Sequence, residues 1–191
     1  MCRDEQIDLY STLNDMASAK MLLEELQIDL EGKISRLRQL DDLNYDLGSN
    51  GSILTGGEVV YHIWQEVRSS FIHGNYVAVV LLCQSMAEHL LASYLEYRFS
   101  EDSRSKRMHF RDTIQECWSR GIITEIDKND LLRLSHARNP LTHHRTFEDP
   151  TNLTRLSVEA GKIASDLLRG NANFAIRLAF RLLSLPAFRV D

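Results

Sequence analysis

The sequence predicts an all-α protein. Apolar residues recur at helical spacing through most of the chain, and no stretch alternates as a half-buried strand does. Only three of the 191 residues are proline, the residue that most reliably ends a helix: Pro140, Pro150 and Pro186. Hydrophobic residues make up 43% of the chain and charged residues 26%, an ordinary globular mixture. We therefore expect one helical domain with an additional segment, because 191 residues are too few for two ordinary domains.

Charge and cysteine usage exclude several classes of protein. The net charge is −5, and residues 1–50 hold 5 Lys and Arg against 11 Asp and Glu, so the remainder is close to neutral. Such a chain can contact phosphate locally but is not a broad binder of long nucleic acid. Its three cysteines include no C-x-x-C pair, which argues against a disulfide framework or a zinc knuckle. The acidic N-terminus lacks a signal-peptide pattern, so we expect a cytoplasmic protein that does not cross a membrane.

Residues 1–47 are predicted to form an N-terminal helical arm. Apolar side chains repeat every seven residues, at Leu9, Met16, Leu23, Leu30 and Leu37. One interpretation is a long amphipathic helix used as a coiled coil for self-association. The other is two shorter helices, broken near residues 28–32 and packed on the main domain. The companion heptad positions include polar residues, so the pattern alone does not decide between them.

Glycine, serine and asparagine mark residues 48–57 as a linker, and residues 58–185 are predicted to form a helical bundle. Helical spacing or capping signals predict helices over residues 59–71, 76–99, 107–120, 124–138, 150–170 and 174–185. The second of these is apolar round most of its circumference, so we expect it to be the central helix of the core. The two tryptophans, Trp64 and Trp118, are also assigned to the core.

The segment that indicates chemistry is R-N-P-L-T-H, residues 138–143. Pro140 is predicted to break the helix, with Asn139 as the N-cap of a new helix and His143 in its first turn. Arg138 and His143 would then converge on the break, beside free amides that favour an anion. Arginine suits a phosphate and histidine exchanges protons near neutral pH, so together they suit a reaction at a phosphodiester.

This segment resembles the R-x4–6-H signature of the HEPN superfamily in its R-N-x-x-x-H form. Residues 75–91, which contain Glu88 and follow a short amphipathic helix, are similar to the second core helix of that family. The resemblance covers about residues 57–170 and implies an up-and-down helical bundle. It also implies a homodimer in which two copies of the motif face each other across a cleft.

The resemblance implies a metal-independent endoribonuclease of a bacterial toxin–antitoxin or phage-defence type system. Arg138 would hold the phosphate, and His143 would act as general acid or base while the ribose 2′-hydroxyl attacks. Asn139 would shape the turn, and Glu88 would correspond loosely to a polar residue that some members place near the motif. The family pattern does not require His144, which would widen the basic site or be solvated.

Two further interpretations stay open. In the first, Arg138 is an ordinary surface arginine and His143 is a packed histidine in the first turn of a helix. In the second, the chain is a catalytically inactive HEPN module that serves as a dimerisation scaffold or regulator. The cluster of His136, His143 and His144 lacks the spacing of helical zinc ligands, so we expect neither a metal nor a cofactor. The predicted partners are RNA, a second copy of the chain, and an antitoxin or defence-system protein.

Overall fold

The computed structural model describes residues 16–48, 50–99 and 108–190. These residues form eight α-helices and no strand, which confirms the all-α class. The helices are α1 (Met16–Gln27), α2 (Leu30–Leu47), α3 (Gly57–His73), α4 (Tyr76–Phe99), α5 (Phe110–Ser119), α6 (Glu125–Thr142), α7 (Leu153–Ala160) and α8 (Ala164–Ser184). A short 3₁₀ turn, Pro186–Phe188, follows α8.

Helix α4 is the centre of the core, as its composition predicts. It packs against α3, α5, α6 and α8. Its buried side chains lie along one side of the helix and include Val80, Met86, Leu90 and Leu91. Of the helices in the described residues, α4 alone is long and apolar enough to cross a membrane, by length and composition only.

The arm is divided into two helices that have different surroundings. The helical path breaks at Ile28 and Asp29, and Asp29 has a left-handed backbone with φ 56°. The side chain of Lys33 donates to the carbonyl of Leu26 at 3.0 Å and so closes the end of α1. A single unbroken helix through the arm is therefore wrong for the described residues. Residues 1–15, with the predicted heptad position Leu9, lie outside them.

Helix α2 belongs to the bundle, whereas α1 does not contribute to its core. The side chain of Leu40 is buried, and α2 packs against α3 and α8. None of the residues of α1 is buried. The prediction that both shorter helices pack on the main domain therefore holds for α2 only.

The segment after α2 is tied to the end of the chain. The amide of Ile53 donates to the carbonyl of Phe188 at 2.8 Å, and the amide of Val190 donates to the carbonyl of Gly51 at 3.0 Å. The hydroxyl of Thr55 donates to the carbonyl of Leu90 on α4 at 2.7 Å. These bonds anchor the predicted linker on the bundle.

The helices of the C-terminal third differ from those predicted. The predicted helix 150–170 is interrupted after α7, where Gly161 takes a left-handed backbone with φ 58° and ends the helix. Helix α8 then continues through Gly170, so the predicted separate helix 174–185 is the second half of α8. A glycine inside a helix costs only about 1 kcal/mol relative to alanine, which the buried face of α8 offsets. Residues 100–107, which join the predicted helix 76–99 to the predicted helix 107–120 and include the start of the latter, lie outside the described residues.

Candidate functional site

Helix α6 carries the R-N-P-L-T-H segment and is fixed firmly at its start. Thr124 and Asp127 form a capping box: the amide of Asp127 donates to the Thr124 hydroxyl at 3.2 Å, and the amide of Thr124 donates to the Asp127 carboxylate at 2.9 Å. The carboxylate of Asp127 is fully buried and also accepts from the guanidinium of Arg181 on α8. The beginning of α6 is therefore held to α8 by a charged pair.

Hydrogen bonds determine the charge of Asp127. Burial by itself raises the pKa of this carboxyl group, but hydrogen bonds from Thr124 and Arg181 outweigh that effect and hold the pKa below its ordinary value of 3.8. The group therefore stays ionised near neutral pH. Sequence reasoning identified Thr124 and Asp127 only as the start of a helix, although Thr-x-x-Asp is a recognisable capping pattern.

The predicted helix break at Pro140 is wrong. Helix α6 continues through Pro140 to Thr142, and His143 is its C-terminal cap residue, with φ −125° and ψ 132°. Pro140 lacks only the amide hydrogen that would bond to the carbonyl four residues earlier, and the helix closes normally after it, with the amide of His143 donating to the carbonyl of Asn139 at 3.1 Å. The proline therefore costs α6 one backbone hydrogen bond, to the carbonyl of His136, without ending the helix.

This correction removes two elements of the predicted site. Asn139 is a helical residue and not an N-cap, and the next helix begins only at Leu153. His143 therefore lies at the carbonyl end of α6, where the helix dipole favours cations, and not beside the free amides of a helix start. The predicted anion-favouring corner is absent from this place.

The side chains of Arg138 and His143 leave α6 in different directions. Arg138 follows Leu134 by four residues and Leu131 by seven, so it continues the line of these two buried leucines and is itself half-buried. His143 lies five residues further on, about 140° round the axis, and is exposed. The two side chains therefore start from different sides of the end of α6.

Both side chains lack partners. Within the described residues, Arg138, His143 and the exposed His144 make no side-chain hydrogen bond or ion pair. Arg145, the next residue, has an ion pair with Asp149 at 3.5 Å. The Thr151 hydroxyl, the Thr151 amide and Arg145 together hold the pKa of Asp149 below its ordinary value. The motif is therefore available to a ligand, while the loop after it is internally bonded.

Glu88 and Trp118 have less informative positions. Glu88 lies half-buried on α4 and makes no hydrogen bond or ion pair in the described part of the chain. Its link to the motif stays a prediction.

Trp118 is not a core residue: it is 37% exposed, and the Lys128 ammonium lies 3.6 Å from the centre of its ring. Trp64 is buried, as predicted, against Phe180.

No metal-binding group of three or more His, Cys, Asp or Glu occurs among residues 16–48, 50–99 and 108–190. Sequence reasoning missed a polar cleft around Arg36, because its walls come from segments that are distant in the chain.

No family model, curated protein or solved structure matches this chain. The resemblance to the HEPN superfamily therefore rests on the residues quoted above.

Proposed function

We propose that this chain is an endoribonuclease that cleaves RNA by attack of a ribose 2′-hydroxyl without a metal ion, in a bacterial toxin–antitoxin or phage-defence type system. The observation that carries the proposal is that the arginine and the histidine of the motif, at the end of α6, are both free to contact a ligand. The guanidinium of Arg138 has no partner among the described residues, and the imidazole of His143, five residues later in the chain, is exposed. An unpaired arginine and a solvated histidine are two groups suited to a phosphodiester when they are brought together.

The two residues have separate roles in this proposal. Arg138 binds a non-bridging phosphate oxygen and stabilises the charge that grows there as the pentacoordinate phosphorus forms. His143 takes the proton of the 2′-hydroxyl or gives one to the leaving 5′-oxygen. The products of such a step are a 2′,3′-cyclic phosphate and a 5′-hydroxyl end.

Because Arg138 and His143 start from different sides of α6, the proposal places the site between two copies of the chain. A two-fold dimer in which the ends of the two α6 helices face each other can bring His143 of one copy near Arg138 of the other. It also doubles the local positive charge, which favours RNA at this point of a chain with net charge −5.

Cleavage of total RNA by the purified full-length protein tests the proposal. We expect Arg138→Ala and His143→Ala each to lower the cleavage rate by about 10²-fold or more, because neither role substitutes for the other. The matched control is His144→Ala, which removes the neighbouring exposed imidazole and should keep most activity. EDTA should change nothing.

Three results would count against the nuclease. A dead His144→Ala with an active His143→Ala would mean that the assigned proton carrier is wrong. Loss of cleavage on adding EDTA would contradict the metal-independent step. No cleavage by the wild-type protein, and no toxicity on expression, would replace the nuclease with the second candidate.

The second candidate is a catalytically inactive HEPN-like module that joins partners, and the surface of α1 favours it. Met21, Leu22, Leu23 and Leu26 on α1 are each more than half exposed. An apolar helix without a buried residue is typical of a protein–protein contact. This candidate predicts association with an unchanged affinity in the Arg138→Ala variant.

A further inference from the structure

A polar cleft lies between α2, the start of α4 and α8, apart from the motif on α6. Its volume is about 320 Å³, at the lower end of the range for small-molecule sites. Six residues of its lining carry side chains that can donate hydrogen bonds: Ser35, Arg36, Gln39, Tyr76, Arg169 and Asn173. They come from three separate segments of the chain, so only the fold assembles them.

Arg36 is held in place by three bonds of different kinds. Its Nε donates to the carbonyl of Ile72 at 2.9 Å, one terminal nitrogen donates to the hydroxyl of Tyr76 at 3.4 Å, and the other pairs with Asp29 at 2.8 Å. Its side chain is only 12% exposed. A guanidinium has five N–H groups, so two remain for a ligand. Because the group is already ordered, a ligand loses little free energy in fixing it.

Asp29 completes this arrangement through an unusual backbone. It is the only non-glycine residue with positive φ among the described residues. Its carboxylate lies over Gly32, where a Cβ atom would come within 2.2 Å of the Asp29 Oδ1. The hydrogen bond from Arg36 lowers the pKa of Asp29, so the pair stays ionised. Gly32 and the left-handed turn therefore position the partner that orients Arg36.

The opposite wall supplies a second cation and further donors. Arg169 on α8 is 57% exposed and pairs with Asp166 at 2.7 Å, a surface pair that exchanges readily with another anion. Asn173 follows Arg169 by one helical turn. Gln39 has an amide nitrogen that is buried without an acceptor. If this amide rotates towards the cleft, an anion bound there would be its acceptor. The lining is thus rich in donors, and its one carboxylate is already bonded to Arg36.

We propose that this cleft binds the phosphate group of a small organic phosphate, of the size of a sugar phosphate or a mononucleotide. A phosphate monoester carries nearly two negative charges and three acceptor oxygens, which match two guanidinium groups and the hydroxyl and amide donors between them. A ligand whose only anionic group is one carboxylate has two acceptor oxygens and would leave most of these donors without a partner. The site is independent of the proposed ribonuclease, since it uses no residue of the motif.

Isothermal titration of the full-length protein with ribose 5-phosphate, AMP and inorganic phosphate tests this site, with ribose and adenosine as the compounds that lack phosphate. We expect both esters to bind and both unphosphorylated compounds to give no signal. Arg169→Ala should weaken the binding of the esters about tenfold or more, because a charge-assisted contact to the phosphate is lost.

The matched control is Arg177→Ala, which removes the same charge from an exposed position on α8. It lies eight residues, or about 12 Å, further along the helix, beyond the screening length at physiological salt. This variant should change the affinity by less than about twofold. Circular dichroism checks that both variants keep their helices.

Four outcomes would overturn the proposal. These are no binding of either ester at about 1 mM, binding of inorganic phosphate alone, equal affinities for adenosine and AMP, and equal weakening by the two arginine variants. None of these measurements depends on RNA cleavage, so the cleft and the nuclease stand or fall separately.

Discussion

Replacing Asp127 should weaken the whole bundle through the start of the helix that carries the motif. Asp127→Ala removes the carboxylate that accepts from the amide and the hydroxyl of Thr124, at 2.9 and 2.6 Å. Loss of such a cap costs about 1 kcal/mol. It also removes the charged hydrogen bond from Arg181, whose side chain is 46% exposed and regains water, so we take the low end of about 1.5 kcal/mol. The free energy of unfolding should therefore fall by about 2–3 kcal/mol.

Thermal and urea unfolding measure this change. For a chain of this length, 1 kcal/mol corresponds to about 2–4 °C, so the melting temperature should fall by roughly 5–10 °C. The matched control is Asp130→Ala, which removes a half-buried carboxylate three residues later on α6 that has no partner among the described residues. Equal melting temperatures for the two variants would refute the assignment of a special role to Asp127.

The pH dependence provides a second check on the same carboxylate. Its pKa is lower in the folded protein than the ordinary 3.8. Its contribution to stability is therefore complete above that value and is lost as the pH falls through the folded-state pKa. The stability difference between the wild type and Asp127→Asn should stay constant above about pH 5 and shrink as the pH falls below 3.8. A difference that grows on acidification would contradict the sign of this argument.

Three other predictions follow from the structure. If the nuclease site is shared between two copies, mixing Arg138→Ala with His143→Ala chains restores one working site per heterodimer and part of the RNA cleavage, whereas a site within one copy stays inactive. Removing residues 1–28 should lower the number of chains per particle in solution, while circular dichroism shows that the helices of the bundle remain. An unchanged number of chains would exclude self-association through α1. Burial raises the pKa of Cys117 to about 12 and also raises that of Cys83, so neither thiol should react with a thiol reagent at about pH 8 until the protein unfolds, as mass spectrometry of labelled peptides would measure.

Local signals in the sequence were enough to locate the central helices. The bounds of α4 agree with the predicted 76–99, and α3 extends the predicted 59–71 by two residues at each end. Gly74 and Gly121 end their helices with left-handed backbones, a conformation that glycine adopts without strain. These features depend on a few neighbouring residues, so the sequence expresses them directly. The choice of Arg138 and His143 as candidate residues likewise rests on a short segment of sequence.

The direction and surroundings of these helices depended on tertiary packing. Pro140 carries a strong local signal for a break, yet α6 continues past it, with Leu131 and Leu134 anchoring the helix in the core. Trp118 is a large apolar residue of the kind usually found in a core, yet it is partly exposed, because it lies on the side of α5 that faces away from the bundle.

The sequence by itself determined the all-α class, the position of the central helix and the candidate residues of the motif. Only the tertiary structure decided that α6 continues past Pro140, that α2 but not α1 joins the core, and that Arg36 and Arg169 line one cleft. The physical reason is that helix formation depends on residues within a few positions of each other. Burial and the assembly of a site depend on contacts between residues far apart in the chain, which no local pattern records.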